Sequence, residues 1–252
     1  MRHRGVQWAA GFWAISLSLI CHGAEPQDIL QFEPQADVVL RQMSDYLASL
    51  KEFSVKGVNR WEQKVVTGQT VPLTETFEIY VRRPNRVKAT VRGELRDQDI
   101  YYDGQTVTLF TPDTNTYASI DQVPDIDSAV LHAVRGLALR APLGRLLLSD
   151  FYQVLKKNAL SGRYLGVEEV DGVACRHVAV TTAEVDWQLW VEDGVTPLPR
   201  KLVAKYRGVA VSPELISLLT DWDTAVSLSD SLFQFVPPPD ASKVDYLPKG
   251  SQ

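Results

Sequence analysis

The sequence is poor in the residues from which catalytic and metal centres are built. Its 252 residues include two cysteines and four histidines, with no G-x-S-x-G elbow, phosphate-binding loop or H-E-x-x-H helix. Cys175 and His177 would share one face of a strand, but two ligands do not complete a zinc site. We therefore expect a protein that is not an enzyme and has no catalytic residue, cofactor or metal. The remaining alternative is a hydrolase, because the carboxylates are scattered and their pattern does not single out a catalytic pair.

Positive charge is scarce as well. Lys and Arg number 26 against 31 Asp and Glu, a net charge of −5, and an acidic chain is a poor candidate for binding nucleic acid. An apolar content of 45% and a charged content of 23% are ordinary for a globular protein. These values argue against both a disordered chain and a polytopic membrane protein.

The N-terminus has the three parts of an export signal. Residues 1–4 are basic, residues 6–20 are largely apolar, and residues 21–24 end in Gly-Ala. This pattern predicts a cleaved signal peptide over 1–24, a periplasmic location, and no integral span in the mature chain. Cleavage would remove Arg2 and Arg4, leaving 24 basic residues against 31 acidic ones and a net charge of −7. Acylation of Cys21, giving an outer-membrane lipoprotein, is the alternative.

What the sequence does contain is strict alternation of apolar and polar residues. Phe77, Ile79 and Val81 alternate with polar residues, and so do Val87 and Val91. A period of two places the apolar side chains on one face of a sheet. The stretch from 77 to 121 is therefore predicted to be a meander of antiparallel strands.

Turn residues separate these strands and a second set that follows. Asp-Gly pairs at 103–104, 171–172 and 193–194 are strong hairpin signals between alternating runs. Residues 162–170, 173–182, 185–192 and 200–207 are predicted strands, and residues 215–222 fit a strand or a helix. Since no linker or shift of composition interrupts the chain, residues 25–252 are predicted to be one domain.

Helical spacing occurs in two places. Apolar residues recur every three or four positions over 34–50, with Asp37 as a possible cap, and again over 121–155. The second region is predicted to be two helices broken at Ala141-Pro142, because proline ends a helix and is tolerated in a first turn. We expect residues 124–158 to form a lid across the concave side of the sheet.

Seven short stretches, in order along the chain, carry a family resemblance. They are residues 83–87 (RPNRV), 101–105 (YYDGQ), 115–118 (NTYA), 170–173 (VDGV), 186–190 (DWQLW), 197–201 (PLPRK) and 233–238 (FQFVPP). The chain resembles the DUF2092 family of predicted periplasmic proteins, which is related to the LolA/LolB-like lipoprotein carriers. The resemblance implies an α+β fold, an incomplete antiparallel β-barrel whose concave face is capped by helices around a hydrophobic cavity.

This fold suggests a periplasmic protein that binds or carries a hydrophobic ligand, a lipid or the acyl chain of a lipoprotein. The alternative is an interaction or envelope-sensing module that binds another envelope protein and no lipid. Inward-facing residues of the strands and the lid are the candidate cavity lining. They are Phe77, Ile79, Val87, Val91, Ile100, Tyr102, Leu109, Leu131, Leu143, Leu147, Trp187 and Leu189. The basic residues between Arg82 and Arg92 are interpreted as a solvated face, or as a site for an anionic head group or a partner.

Overall fold

The structure, a computed structural model, describes residues 32–94, 97–136, 142–208 and 214–245. The predicted signal, residues 1–24, and the predicted break at Ala141 lie outside these ranges. The described helices are α1 (Pro34–Ser49), α2 (Ile126–Gly136), α3 (Pro142–Arg145) and α4 (Phe151–Asn158). The strands are β1 (Glu52–Lys64), β2 (Thr70–Arg82), β3 (Arg86–Gly93), β4 (Gln98–Tyr102), β5 (Val107–Thr111), β6 (Thr116–Ile120), β7 (Ala159–Val170), β8 (Val173–Thr182), β9 (Val185–Glu192), β10 (Pro199–Tyr206), β11 (Glu214–Asp223) and β12 (Ser242–Lys243).

The twelve strands of the described ranges form one sheet, in the order β12-β6-β5-β4-β3-β2-β1-β11-β10-β9-β8-β7. Neighbours pair antiparallel except β12, which runs parallel to β6. Because β7 and β12 stay at opposite ends, the curved sheet is an open, incomplete barrel, as the family resemblance implies. Residues 214–223 are a strand, which decides between the two alternatives for that stretch.

The concave face of the sheet is covered by different helices on its two halves. Helix α1 packs on β7 and β8 through a buried stripe that includes Val39, Leu40, Met43 and Leu47. The expected cap at Asp37 is wrong, because the helix begins at Pro34 after Glu33 with no side-chain cap. Helices α2 and α3 cover the other half, over β1 to β5.

The described parts of the predicted lid, residues 124–136 and 142–158, contain three helices rather than two. Helix α3 is one turn long, and α4 begins only at Phe151, where the Asp150 carboxylate accepts a hydrogen bond from the Gln153 backbone N–H at 3.0 Å. An N-cap of this kind starts a new helix. Helix α4 packs on α1, so the lid over the cavity is made by α2, α3 and the turn after α3.

The convex face is crossed by a C-terminal strap, residues 228–245. The Arg82 guanidinium donates to the Leu228 carbonyl at 3.1 Å and pairs with Asp230, and Phe233 beside them is fully buried. Farther along, the Phe235 ring contacts Tyr101, Phe110 and Tyr117 with centroids 5.1–5.5 Å apart, before β12 joins the edge of the sheet.

The expectation that the basic residues between Arg82 and Arg92 form a solvated face is therefore wrong for Lys88. Lys88 is 8% exposed beneath the strap, with its ammonium 3.3 Å from the centre of the Tyr101 ring. Its neighbour Arg92 pairs with Asp99 at 2.9 Å. The strap covers Lys88, and Asp99 of β4 pairs with both cations.

Candidate ligand cavity

An apolar cavity of about 140 Å³ lies between the sheet and the lid; we call it the sheet–lid cavity. Its floor is the inner face of β1 to β5 and β11, and its cover is α2, α3 and the following turn. A cavity of roughly this size can accept a small apolar molecule. The wall residues are Asn59, Trp61, Glu75, Phe77, Ile79, Val87, Ala89, Val91, Gln98, Ile100, Tyr102, Val107, Ala129, Val130, Ala133, Leu143, Gly144, Leu147 and Leu215.

Eight of the twelve candidate residues lie on this wall. Six come from strands β2 to β4, where alternation aims every second side chain inward, and two come from the lid. These eight are Phe77, Ile79, Val87, Val91, Ile100, Tyr102, Leu143 and Leu147.

The other four candidates lie elsewhere. Leu109 is half-buried on β5 outside the wall, and Leu131 is 48% exposed on the outer side of α2. Trp187 and Leu189 are buried in the packed core of the other half of the sheet, and the Arg145 guanidinium lies 5.9 Å from the Trp187 ring centre. The half of the sheet beneath α1 and α4 is therefore packed, whereas the other half borders the cavity.

Sequence reasoning missed the lid stripe and the polar wall residues, although both had a signal. Ile126, Ala129, Val130 and Ala133 follow the i, i+3, i+4, i+7 spacing of an inward-facing helix stripe, from which Leu131 is displaced. Glu75 has the same parity as Phe77 and Ile79 on β2, which marks a carboxylate on the apolar face.

The deep end of the cavity is tightly closed. Tyr102 is 1% exposed, and its hydroxyl donates to the Val123 carbonyl at 3.0 Å. Burial raises the pKa of the Tyr102 hydroxyl, so it remains a proton donor at neutral pH. On the floor, the ring of Phe77 lies over its strand partner Gly57, where a Cβ atom would come within 2.5 Å of the ring.

The opposite end is polar and partly open. Trp61 and Glu75 are half-exposed there, whereas Asn59 is 4% exposed. The Asn59 amide donates to the Glu75 carboxylate at 2.8 Å and accepts from the Ser217 hydroxyl at 2.6 Å. The cavity therefore has an apolar body and one polar mouth.

The lid is fastened by two sets of polar contacts. The Arg83 guanidinium, at the start of the turn between β2 and β3, donates to the Leu147 carbonyl at 3.1 Å. The Asp127 carboxylate of α2 accepts from the backbone N–H and the hydroxyl of Ser149, at 2.8 and 2.6 Å. The first contact ties the turn after α3 to the sheet, and the second ties that turn to α2.

The pair considered for a metal lies on the convex face, away from the cavity. His177 stacks on Trp190 with ring centroids 3.9 Å apart and contacts the Glu168 carboxylate and the Gln188 amide at 3.1 Å. Burial raises the pKa of the nearby Cys175 thiol, which disfavours a reactive thiolate. Among the described residues, no group of three or more His, Cys, Asp or Glu is arranged to hold a metal ion.

The family comparison covers most of the chain. Residues 36–247 match the family described as "Predicted periplasmic protein (DUF2092)". The chain belongs to the DUF2092 family. No curated protein matches this DUF2092 chain significantly.

Solved structures similar to the DUF2092 chain include three bacterial proteins. An uncharacterized conserved protein from Thermus thermophilus is 10% identical, with a TM-score of 0.49, over 84% of this chain and 99% of its own. The lipoprotein LppX from Mycobacterium tuberculosis is 14% identical, with a TM-score of 0.47, over 78% and 100%. A LolA superfamily protein from Nitrosomonas europaea is 11% identical, with a TM-score of 0.42, over 79% and 97%.

None of the helices in the described ranges is long and apolar enough to cross a bilayer.

Proposed function

We propose that the protein binds a lipid, or the acyl chain of a lipoprotein, in the sheet–lid cavity and carries it within the periplasm without a chemical step. The observation that carries this proposal is the apolar cavity left between the sheet and the lid, which a fully packed core would not offer. The periplasmic location is supported by the family's description and by the export signal expected over residues 1–24.

The size of the cavity sets what it accommodates without rearrangement. A cavity near 140 Å³ matches a group of about six carbons, by comparison with the apolar cavity of similar volume that binds benzene. Each buried methylene contributes about 0.8 kcal/mol, so a longer chain gains affinity by extending toward the polar mouth or by lifting the lid.

The alternative function is an interaction or sensing module with an envelope protein as partner. It is supported by the exposed side chains of Leu165 and Val167 on the edge strand β7, which are 49% and 54% exposed. An edge strand has unpaired backbone groups that another chain can pair with. This function needs no ligand in the cavity, so the two functions make opposite predictions for lipid binding.

The test compares two leucines of the lid, with decanol as the ligand and titration calorimetry as the measurement. Leu143→Glu places a carboxylate on the cavity wall and should weaken decanol binding at least about tenfold, because an unpaired charge in an apolar site is costly. Leu131→Glu adds the same charge on the exposed side of α2 and should leave binding unchanged. Equal binding by both variants would contradict the cavity as the binding site.

A second variant avoids the risk that a buried charge unfolds the protein. Ala89→Phe fills the middle of the cavity from β3 with an uncharged ring. It should block decanol binding while changing the free energy of unfolding by only about 1–3 kcal/mol, as overpacking does. Far-UV circular dichroism checks that the sheet remains folded in every variant.

A further inference from the structure

The polar mouth of the cavity is built by three neighbouring strands. Ser217 of β11 pairs with Asn59 of β1, and Asn59 pairs with Glu75 of β2, so the three side chains form one row across the inner face. The apolar residues that follow along β2, from Phe77 onward, are on the same face. The end of a bound ligand that is nearer the mouth therefore lies beside this row.

The hydrogen bonds of the row fix what it presents to a ligand. The Ser217 hydroxyl, on a residue that is fully buried, donates to the Asn59 carbonyl oxygen, and the Asn59 amide nitrogen donates to Glu75 Oε1. These two bonds orient the Asn59 amide and use its carbonyl oxygen. Since a carboxylate has two oxygens with four lone pairs, Glu75 retains capacity to accept further hydrogen bonds.

No positive charge balances Glu75 on the cavity wall. Glu75 is the only carboxylate on the wall, which includes no Lys, Arg or His among the described residues. Arg60 adjoins Asn59 on β1, and Arg92 pairs with Thr76, the neighbour of Glu75. Strand alternation puts both arginines on the convex face, where Arg92 pairs with Asp99. A negatively charged head group at the mouth would therefore meet a carboxylate with no counter-charge.

The apolar deep end and the polar row lie at opposite ends of the cavity. Tyr102 at the deep end pairs with Val87, which pairs with Val81, six residues beyond Glu75 on β2. At about 3.3 Å per residue, the deep end and the mouth are about 20 Å apart. A decyl chain is shorter than this distance, so a ligand with its head group beside Glu75 points its tail toward Tyr102 without reaching it.

We propose that the Ser217–Asn59–Glu75 row is a head-group site that selects ligands whose polar end donates hydrogen bonds and has no negative charge. Alkyl alcohols, alkyl amides and alkyl ammonium ions belong to this class, whereas the ionised carboxylate of a fatty acid does not. The inference rests on the proposed function, since it concerns the same cavity.

The experiment measures the affinities of three probes with one chain length, decylammonium, decanol and decanoate, by calorimetry at pH 7 below their micelle concentrations. Wild type should bind decylammonium at least about tenfold more tightly than decanoate, since hydrogen bonds to charged groups are the strong ones. Decanol should lie between the two. Decanoate binding as tightly as decylammonium would overturn the inference and leave the proposed function intact.

Two variants separate the head-group site from the general acidity of the protein. Glu75→Gln keeps an acceptor for the Asn59 amide but removes the charge, so the preference for decylammonium should fall to about twofold or less. Glu62→Gln makes the same change of net charge on the exposed face of β1 and should keep the full preference. An unchanged preference in Glu75→Gln would overturn the inference. No binding of any probe by wild type would overturn the proposed function, and the inference with it.

Discussion

Lys88 has an environment unlike that of its neighbours on β3. Its ammonium lies over the Tyr101 ring and 3.6 Å from the Asp99 carboxylate, beneath the C-terminal strap. Burial lowers its pKa from 10.5 to about 8, and the attraction of Asp99 opposes that shift only in part. The charged form of Lys88, which predominates at neutral pH, therefore destabilises the folded state.

Replacing this lysine should change how stability depends on pH. Between about pH 8 and pH 10.5 the unfolded chain holds a proton on Lys88 that the folded chain has lost, so the free energy of unfolding rises with pH across this window. Lys88→Met removes this contribution, which we expect to amount to about 1–3 kcal/mol. Urea unfolding of both proteins at pH 7.5, 8.5 and 9.5 measures it. Parallel pH profiles would contradict the assignment.

The burial of Lys88 could not be predicted from the sequence around it. Alternation on β3 correctly separates Val87, Ala89 and Val91 from the charged positions, because the face on which a side chain lies depends only on its position along the strand. Whether the charged face meets water depends on the strap, which comes from residues 228–245. Local periodicity has no information about that contact.

Helices α1 and α4 are joined by one polar cluster. The Asp37 carboxylate of α1 accepts from the Lys156 ammonium at 2.7 Å and from the Tyr152 hydroxyl at 2.6 Å, and it pairs with Arg41. The hydrogen bond from Lys156, followed by that from Tyr152, lowers the pKa of Asp37 from 3.8 to about 2. The residue predicted to cap α1 is instead its link to α4.

Asp37→Asn should weaken this link in a way that depends on pH. Since the folded carboxyl has the lower pKa, its stabilisation is complete above about pH 4 and is lost as the pH falls toward 2. The variant should lose about 1–2 kcal/mol of unfolding free energy at pH 7 and a smaller amount at pH 3. Urea unfolding at the two pH values measures the difference.

Asp45→Asn is the matched control, because Asp45 is exposed on the same helix. It should leave stability nearly unchanged at both pH values. The same loss in the two variants, or a loss in Asp37→Asn that is independent of pH, would contradict the role of the cluster.

Hairpins were the most predictable elements and the lid was the least. At the Asp171-Gly172 turn both residues have positive φ, 48° and 80°, as a two-residue hairpin loop requires. The start of α4 had a local signal in Asp150, but Leu146, Leu147 and Leu148 extend an apolar run across it. Their spacing fits a continuous helix equally well, so periodicity alone does not reveal the break.

For the whole molecule, one sheet supports two differently covered halves. Beneath α1 and α4 the sheet is packed, with Trp187 and Leu189 in the core, whereas beneath α2 and α3 it borders the sheet–lid cavity. Alternation predicts which side chains face inward on both halves. It does not predict which half remains unfilled, because that depends on which helix packs over each group of strands.

The most direct test of a lipid carrier is native mass spectrometry of the protein purified from the periplasm, followed by extraction with organic solvent. The proposed function predicts a species heavier than the polypeptide, whose added mass is released on denaturation and is recovered as a lipid or an acylated peptide. A mass equal to that of the polypeptide, unchanged after incubation with membrane lipids, would contradict it.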